Sequence, residues 1–282
     1  MTGDAREPLW RPSPERIAAA NVTKFIAAVR QQWGTDIATF KDLYDWSIKS
    51  PDEFWQTVWS FCGVIDETRG TVTLENRDRM PGARFFPAAR LNFAENLLRR
   101  RDESEAIVFW GEDKVKRRLS ADQLYDQVSR LVQALKAMAI QPGDRIAGFV
   151  PNMPETVIAT LAATSIGAIW SSCSPDFGAR GVIDHFGQIG PRVLFTADGY
   201  YYNGKAHDPP SLESSPTALE SRFLRRDLPP VDAFSEAQLS FETGGLDLGL
   251  SSNRMCGRRS AGKVGGRTMV RLECFTLLVK IG

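Results

Sequence analysis

The sequence predicts an α/β fold, in which a helical N-terminal cap precedes part of a doubly wound, mostly parallel sheet. Between residues 143 and 205, three short apolar segments of strand length alternate with helical patterns. Before them, apolar residues recur at the three- to four-residue spacing of amphipathic helices. With 282 residues and 43% hydrophobic content, the chain is long enough for two domains.

The N-terminal part is predicted to contain a flexible arm, residues 1–20, and a helical cap, residues 21–98. The first twelve or so residues of the arm are polar and marked by Pro8 and Pro12. Asn21 is the expected N-cap of the first helix of the cap, and Ser50 with Glu53 has the spacing of a capping box. The aromatic residues that follow Glu53 are expected to pack in the core rather than to bind a ligand.

Residues 99–208 are predicted to form part of an α/β domain. The segments 106–110 and 114–118 are the expected strands of a hairpin that turns near Gly111. A helix then follows, because Ser120 and Gln123 have capping-box spacing ahead of an amphipathic pattern.

The three apolar segments of this domain are RIAGFV at 145–150, AIWSSC at 168–173 and RVLFTA at 192–197. Helical patterns separate them, and Ser174 is the expected N-cap of the second of these helices. Because connections between parallel strands are almost always right-handed crossovers, the three strands are predicted to be parallel, with helices on both faces.

Residues 209–282 are predicted to be an aberrant and mostly disordered tail. Proline pairs, serine clusters and glycine pairs replace the periodic patterns, apart from a short apolar run at 275–279. Residues 257–263 match the GxxxxGK pattern of a phosphate loop, but Val264 stands where a Mg²⁺-binding Ser or Thr belongs. We therefore interpret this match as accidental.

Composition restricts the classes of function. A formal net charge of +1 provides no overall field for nucleic acid or an anionic membrane, and neither is an expected partner. The chain has no apolar run of bilayer length and no secretory signal, so a cytoplasmic location is expected. The four cysteines and two histidines lack metal-site spacing, so no metal site is predicted. No catalytic residue and no oligomeric state are predicted.

Three blocks of sequence resemble a known family. FKDLYDWSIKSPDEFWQTVWSF, at 40–61, resembles the N-terminal cap segment of acetyl-CoA and acetoacetyl-CoA synthetases. FFPAARLNFAENLL, at 85–98, resembles the loop and helix that lead into their adenylation domain. The block from Gly143 to Phe195 is similar to acetoacetyl-CoA synthetases in particular, and IWSSCSPDFG within it distinguishes that branch. The chain therefore resembles the N-terminal part of adenylate-forming ligases, up to about residue 208.

The resemblance implies an acid–thiol ligase that converts ATP, acetoacetate and CoA to acetoacetyl-CoA, AMP and diphosphate, with Mg²⁺ as a cofactor. By position, it also implies that CoA contacts Trp170, Ser171, Ser172 and Lys205. Two alternatives stay open here. Trp170 is equally well explained as a packed strand residue, and Lys205 as an ordinary solvated lysine.

The family's phosphate loop, ribose-binding Asp and catalytic Lys have no expected counterparts in residues 209–282, so the ATP site is not encoded here. The chain alone is therefore predicted to be truncated and inactive. One alternative is a non-catalytic CoA- or nucleotide-binding fragment, or a regulatory partner of an intact acyl-CoA synthetase. Another is an unstable product, because half a sheet would expose an unpaired edge.

Overall fold

A computed structural model describes residues 9–177, 179–197 and 199–207, together with short strands between 263 and 279. The chain divides into two compact units, Met1–Leu91 and Asn92–Gly282. The predicted helical cap extends to residue 98. Residues 92–98 belong to the second unit because Ala94 and Leu98 are buried in its hydrophobic core.

The first unit is mainly helical. It contains α1 (Pro14–Ala19), α2 (Asn21–Trp33), α3 (Phe40–Lys49), α4 (Pro51–Phe61) and an antiparallel pair, β1 (Leu74–Glu75) and β2 (Arg84–Phe85). Phe25, Val29 and Leu43 are buried in its core. The indole of Trp33 donates a hydrogen bond to Thr57 Oγ1 at 2.8 Å, which joins α2 to α4. The predicted helices of the cap are therefore present.

The helix starts of this unit differ from those predicted. Asn21 lies inside α2, and Ala20 is its N-cap. The capping box expected at Ser50 does not form, because Glu53 Oε2 instead accepts a hydrogen bond from Trp46 Nε1 at 3.2 Å. A capping box is found at the start of α3, where Thr39 and Asp42 exchange hydrogen bonds. A tertiary contact with Trp46 thus replaces the local partner of Glu53.

The aromatic residues of α4 pack mainly against rings of the same unit. Phe54 makes edge-to-face contacts with Phe25 and Trp46, at centroid distances of 5.8 and 6.1 Å. Trp55 and Phe61 are less enclosed, because each keeps 40% exposure. Phe54 therefore packs against the core, whereas Trp55 and Phe61 are partly exposed on the same helix.

The second unit alternates strands and helices. It begins with α5 (Phe93–Leu97), β3 (Glu105–Gly111), β4 (Val115–Ser120) and α6 (Ala121–Ala137). It continues with β5 (Arg145–Phe149), α7 (Pro154–Ser165), β6 (Ile169–Cys173), α8 (Ala179–Ile189) and β7 (Val193–Thr196). The hairpin strands β8 (Tyr200–Tyr202) and β9 (Lys205–His207) follow. As predicted, β3 and β4 also form an antiparallel hairpin.

The main sheet confirms the predicted fold class. Strand β5 lies between β6 and β7 and is parallel to both. Ile146 of β5 packs in the core that contains α6 and α7, whereas Ala147 and Phe149 pack against α8. Since successive side chains of a strand point to opposite faces, this division places helices on both sides of the sheet.

Two predicted helix starts in this unit have different outcomes. The capping interaction at α6 is confirmed, because Gln123 Oε1 accepts a hydrogen bond from the Ser120 N–H at 3.1 Å. The N-cap expected at Ser174 is wrong, because α8 begins at Ala179. Ser174 instead donates its hydroxyl to Asp176 Oδ2 at 2.9 Å in a turn after β6.

Further strands lie within the segment predicted to be a disordered tail. They are β10 (Lys263–Val264), β11 (Arg267–Thr268), β12 (Val270–Leu272) and β13 (Phe275–Val279). Strand β13, the short apolar run noted in the sequence, pairs antiparallel with β7 and adds to the edge of the main sheet. The rest of the predicted tail, including most of the GxxxxGK match, lies outside the described residues.

Gly148 in the central strand provides a test of sheet packing. A Cβ atom at this position would come within 2.6 Å of Trp170 Cζ2. We expect Gly148→Ala to lower the free energy of unfolding by about 1–3 kcal/mol, measured by urea denaturation, because the indole must shift out of its place. Gly181→Ala is the control, since the new methyl group would meet only ordinary contacts at 3.6 Å or more. An unchanged stability of Gly148→Ala would contradict this packing.

Asn92 provides a second test, of the junction between α5 and α7. Its Nδ2 donates to the carbonyl oxygens of Thr164 and Ser165 at 3.1 and 3.0 Å, and its Oδ1 caps α5 through the Glu95 N–H. Asp is an equally good N-cap but has no N–H to donate when ionised. We therefore expect Asn92→Asp to destabilise the protein by roughly 2 kcal/mol in thermal or urea unfolding.

The control for this substitution is Asn21→Asp, an equivalent change at the exposed start of α2. It should leave the unfolding transition unchanged or slightly higher, because a carboxylate is favourable near a helix N-terminus. If Asn92→Asp behaved in the same way, the two hydrogen bonds to α7 would contribute little to stability.

Candidate functional site

The loops that follow the three parallel strands lie at one edge of the sheet. Residues 150–153 follow β5, residues 174–177 follow β6, and the β8–β9 hairpin comes soon after β7. In open α/β sheets, ligands bind in crevices outside the carboxyl ends of the strands. This edge is therefore where a site is expected.

A cavity of about 600 Å³ lies at this edge. Its walls come from the β3–β4 hairpin, the loops after β5 and β6, and the β8–β9 hairpin. Aromatic side chains are prominent among them, and include Phe109, Tyr200, Tyr202 and His207. A volume of this size is typical of sites for small molecules.

The β8–β9 hairpin forms one wall and is held in place by its turn. Asn203 and Gly204 have φ angles of 52° and 73°, the left-handed conformation of a two-residue hairpin loop. The Gly204 N–H donates a hydrogen bond to Glu112 Oε2 at 2.7 Å, which joins this turn to the β3–β4 hairpin. The Asn-Gly pair is a strong hairpin signal, which the sequence analysis did not use.

A charged side chain lies in the wall formed by the β3–β4 hairpin. Arg117 lines the cavity and forms a 2.5 Å ion pair with Glu155 Oε1 near the start of α7. Glu155 is only 9% exposed, and its second oxygen, Oε2, is buried without a hydrogen-bond partner. The cation of Arg117 is thus largely neutralised by a buried carboxylate.

Tyr200 and Asp176 interact at the rim of the cavity. Burial raises the pKa of Tyr200, and so, to a lesser extent, does the Asp176 carboxylate that is hydrogen-bonded to its hydroxyl. The Tyr200 ring stacks on the His207 ring, with centroids 5.3 Å apart and an interplanar angle of 18°. The phenol therefore stays protonated at neutral pH and acts as a hydrogen-bond donor.

The four residues predicted to contact CoA lie outside this lining. Trp170, Ser171 and Ser172 are on β6, and Lys205 is exposed on β9. The Trp170 indole is half-buried against Gly148 and lies 5.9 Å from the Phe195 ring, so it contributes to the core. The side chain of Ser172 is exposed.

Cys173, at the end of β6, is not activated as a nucleophile. Burial raises the pKa of the Cys173 thiol to about 11, so this cysteine is protonated at neutral pH. Among the residues that the structure describes, no group of three His, Cys, Asp or Glu side chains is placed to hold a metal ion. In the same part of the chain, we find no helix with both the length and the hydropathy needed to cross a bilayer.

Sequence analysis missed the residues that shape the cavity. Arg117, Glu155, Asp176 and Tyr200 come from four separate elements, and no local motif connects them. The signal that could have identified the place is topological. Each of the three parallel strands ends in a loop or hairpin at the same edge of the sheet.

Comparison with known proteins relates the chain to a family. The model of the AMP-binding enzyme family matches residues 93–242, and that of the acetyl-coenzyme A synthetase N-terminus matches residues 40–97. The first match extends beyond residue 208, where the sequence analysis placed the end of the family-like segment.

Individual relatives agree with these matches. An acetoacetyl-coenzyme A synthetase of Rhizobium meliloti (strain 1021) is 50% identical over 204 residues, which are 72% of this chain and 31% of the relative. An acetoacetyl-CoA synthetase of Danio rerio is 37% identical over 71% of this chain and 30% of its own. The solved structure of acetoacetyl-CoA synthetase from Streptomyces lividans is similar with a TM-score of 0.67 and 40% identity, over 74% of this chain and 33% of that one. The chain thus spans about a third of the length of these relatives.

Proposed function

The chain belongs to the AMP-binding enzyme family, and from this membership we propose that its chemistry is that of an acetoacetate–CoA ligase. In such a reaction the carboxylate of acetoacetate attacks ATP and forms an acyl-adenylate with release of diphosphate. The CoA thiol then displaces AMP to give acetoacetyl-CoA. Adenylation is needed because a free carboxylate is a poor electrophile, whereas AMP is a good leaving group.

The observation that carries this proposal is the 50% identity to an acetoacetyl-coenzyme A synthetase over 204 residues. The described geometry is compatible with it. Three parallel strands direct their following loops to one edge of the sheet, where a small-molecule cavity is found. ATP, CoA and Mg²⁺ would be the cofactors. Because no carboxylate cluster is described, we assign no residue to Mg²⁺.

For CoA, the proposed contacts are Trp170, Ser171, Ser172 and Lys205. Lys205 is exposed beside the turn of the β8–β9 hairpin, where its ammonium can reach a phosphate as a point charge. Ser172 has an exposed side chain on β6, which can donate a hydrogen bond. Trp170 would contribute by packing under this surface, since its indole lies against Gly148. A cytoplasmic location stays a prediction.

We predict that the purified 282-residue polypeptide does not release diphosphate in the presence of acetoacetate, ATP and Mg²⁺. The reason is that the phosphate loop and the catalytic Lys implied by the family resemblance have no expected counterparts in residues 209–282. The assay couples diphosphate release to a colour reaction, with acetoacetate omitted as the blank. Acetoacetate-dependent release would contradict the prediction of inactivity and support the ligase proposal directly.

Thermal unfolding separates the two alternatives that remain if no diphosphate is released. A rise in melting temperature with CoA would favour a non-catalytic CoA-binding fragment or regulatory partner. A broad or absent transition that CoA does not change would favour an unstable product.

Lys205 gives a residue-level test of the CoA contact. We expect Lys205→Gln to weaken CoA binding about tenfold in calorimetric titration, because one charge-assisted hydrogen bond to a phosphate is lost. Dephospho-CoA then shows whether the contact is to the 3′-phosphate, since its affinity would not respond to the substitution. Lys24→Gln, at an exposed lysine of α2, is the matched control. Equal CoA affinity of the wild type and Lys205→Gln would remove Lys205 from the proposed site.

A further inference from the structure

One side chain joins the turns of the two hairpins in the second unit. Glu112 lies in the turn that follows β3, and its Oε2 accepts a hydrogen bond from the Gly204 N–H at 2.7 Å. Lys205, one of the proposed CoA contacts, is the residue after Gly204. The hydrogen bond from Glu112 therefore fixes the peptide that immediately precedes a proposed ligand contact.

The β8–β9 hairpin does not use this N–H group itself. Tyr202 and Lys205 form the pair that closes its ladder, and Asn203 and Gly204 are the loop between them. In a two-residue loop, the hydrogen bond across the turn runs between the two flanking residues, so the N–H of the second loop residue has no partner within the turn. Glu112 supplies the acceptor that the hairpin lacks.

In the described part of the chain, the tip of the β8–β9 hairpin lies outside the hydrophobic cores. Tyr201 and Tyr202 are exposed, and a Cβ atom added at Gly204 would meet no atom within 4 Å. The hydrogen bond between the Tyr200 hydroxyl and Asp176 holds the start of β8, at the other end of the hairpin. The position of the turn therefore depends on a hydrogen bond rather than on packing.

The backbone of Glu112 has an unusual conformation. Its φ angle is 52°, in the left-handed region that residues with a Cβ atom rarely adopt. The Lys114 N–H donates to the Gly111 carbonyl oxygen at 3.1 Å, which closes the turn around this residue. A glycine would adopt this conformation without the steric cost. The presence of a glutamate is therefore explained better by its side chain than by its backbone.

We propose that Glu112 is a positioning residue for CoA, which holds the β8–β9 turn and so fixes where Lys205 presents its ammonium group. This inference rests on the proposed function, in which Lys205 contacts a phosphate of CoA. Glu112 does not bind CoA itself, because its carboxylate would repel a phosphate. It acts through the Gly204 N–H and the backbone that follows.

Three substitutions at Glu112 separate the hydrogen bond from the backbone conformation. Glu112→Ala removes the acceptor, Glu112→Gly removes the acceptor and the backbone strain, and Glu112→Gln keeps an amide oxygen that can accept the N–H. In calorimetric titration of the full chain, we expect CoA to bind about threefold to tenfold more weakly to the Ala and Gly variants. The Gln variant should stay within about twofold of the wild type.

Glu103→Ala, at an exposed carboxylate in the loop before β3, is the matched control and should leave CoA affinity unchanged. Because Glu112 is also exposed, its variants should keep the melting temperature of the wild type. Wild-type CoA affinity of Glu112→Gly would overturn the proposal, since the side chain of Glu112 would then have no role in binding.

A double-mutant cycle decides whether Glu112 acts through Lys205. In a chain that already carries Lys205→Gln, Glu112→Ala should cause no further loss of CoA affinity, because the group that Glu112 positions has been removed. Losses that add in full would overturn the proposal, since Glu112 would then contribute to CoA binding independently of Lys205.

Amide hydrogen exchange at Gly204, followed by NMR, tests the same contact without CoA. Exchange should be about threefold to tenfold faster in Glu112→Ala and Glu112→Gly than in the wild type and Glu112→Gln, because the N–H loses its acceptor. Equal exchange in all four proteins would overturn the proposal. If the wild type did not bind CoA, the proposed function would fail, whereas the exchange rates would still show whether Glu112 holds the hairpin.

Discussion

The burial of β5 is the constraint on which the second unit depends. Residues Ile146 to Phe149 are buried, and β5 has hydrogen-bonded neighbours on both sides. One face of the strand requires the helices α6 and α7, and the other requires α8. Close contact between Gly148 and the Trp170 indole then fixes how β6 lies against β5. Because every neighbour packs on this strand, its position determines where the loops at the sheet edge emerge.

Helix α7 connects this core to the cavity. Its C-terminal carbonyl groups are satisfied by Asn92, which also begins α5. Near its N-terminus, Glu155 holds Arg117 of the β3–β4 hairpin at the cavity wall. The Glu112 contact to Gly204 joins that hairpin in turn to β8–β9. One ion pair and one hydrogen bond thus add to the core packing of Leu119 and Ile107 in joining the two hairpins to the rest of the unit.

Much of this fold could be predicted from the sequence, because its strongest signals are local. The buried strands β5 and β7 appear as continuous apolar runs, and the capping residues of α6 lie within four positions of each other. The predicted helix starts that are wrong fail because a tertiary contact or a turn uses the capping residue instead. Glu53 bonds to Trp46 instead of its own helix end, and Ser174 closes a turn rather than starting α8.

The candidate site was less predictable. Family resemblance indicated residues on β6 and β9, whereas the cavity walls are formed by side chains distant in sequence, such as Arg117 and Glu155. No periodicity or motif joins such residues, since only the folded chain brings them together.

The central place of β5 has a consequence for biosynthesis. It is the first of the three parallel strands to leave the ribosome, and β7, one of its two partners, ends about 50 residues later at Thr196. At roughly 5–20 residues per second, β5 waits several seconds for its second neighbour. Helix α6 precedes β5 and shares a core with it, so this helix is available to cover one face of the nascent strand during the delay. The other face stays uncovered until α8 is synthesised, so it is the face of β5 that a chaperone would bind during synthesis.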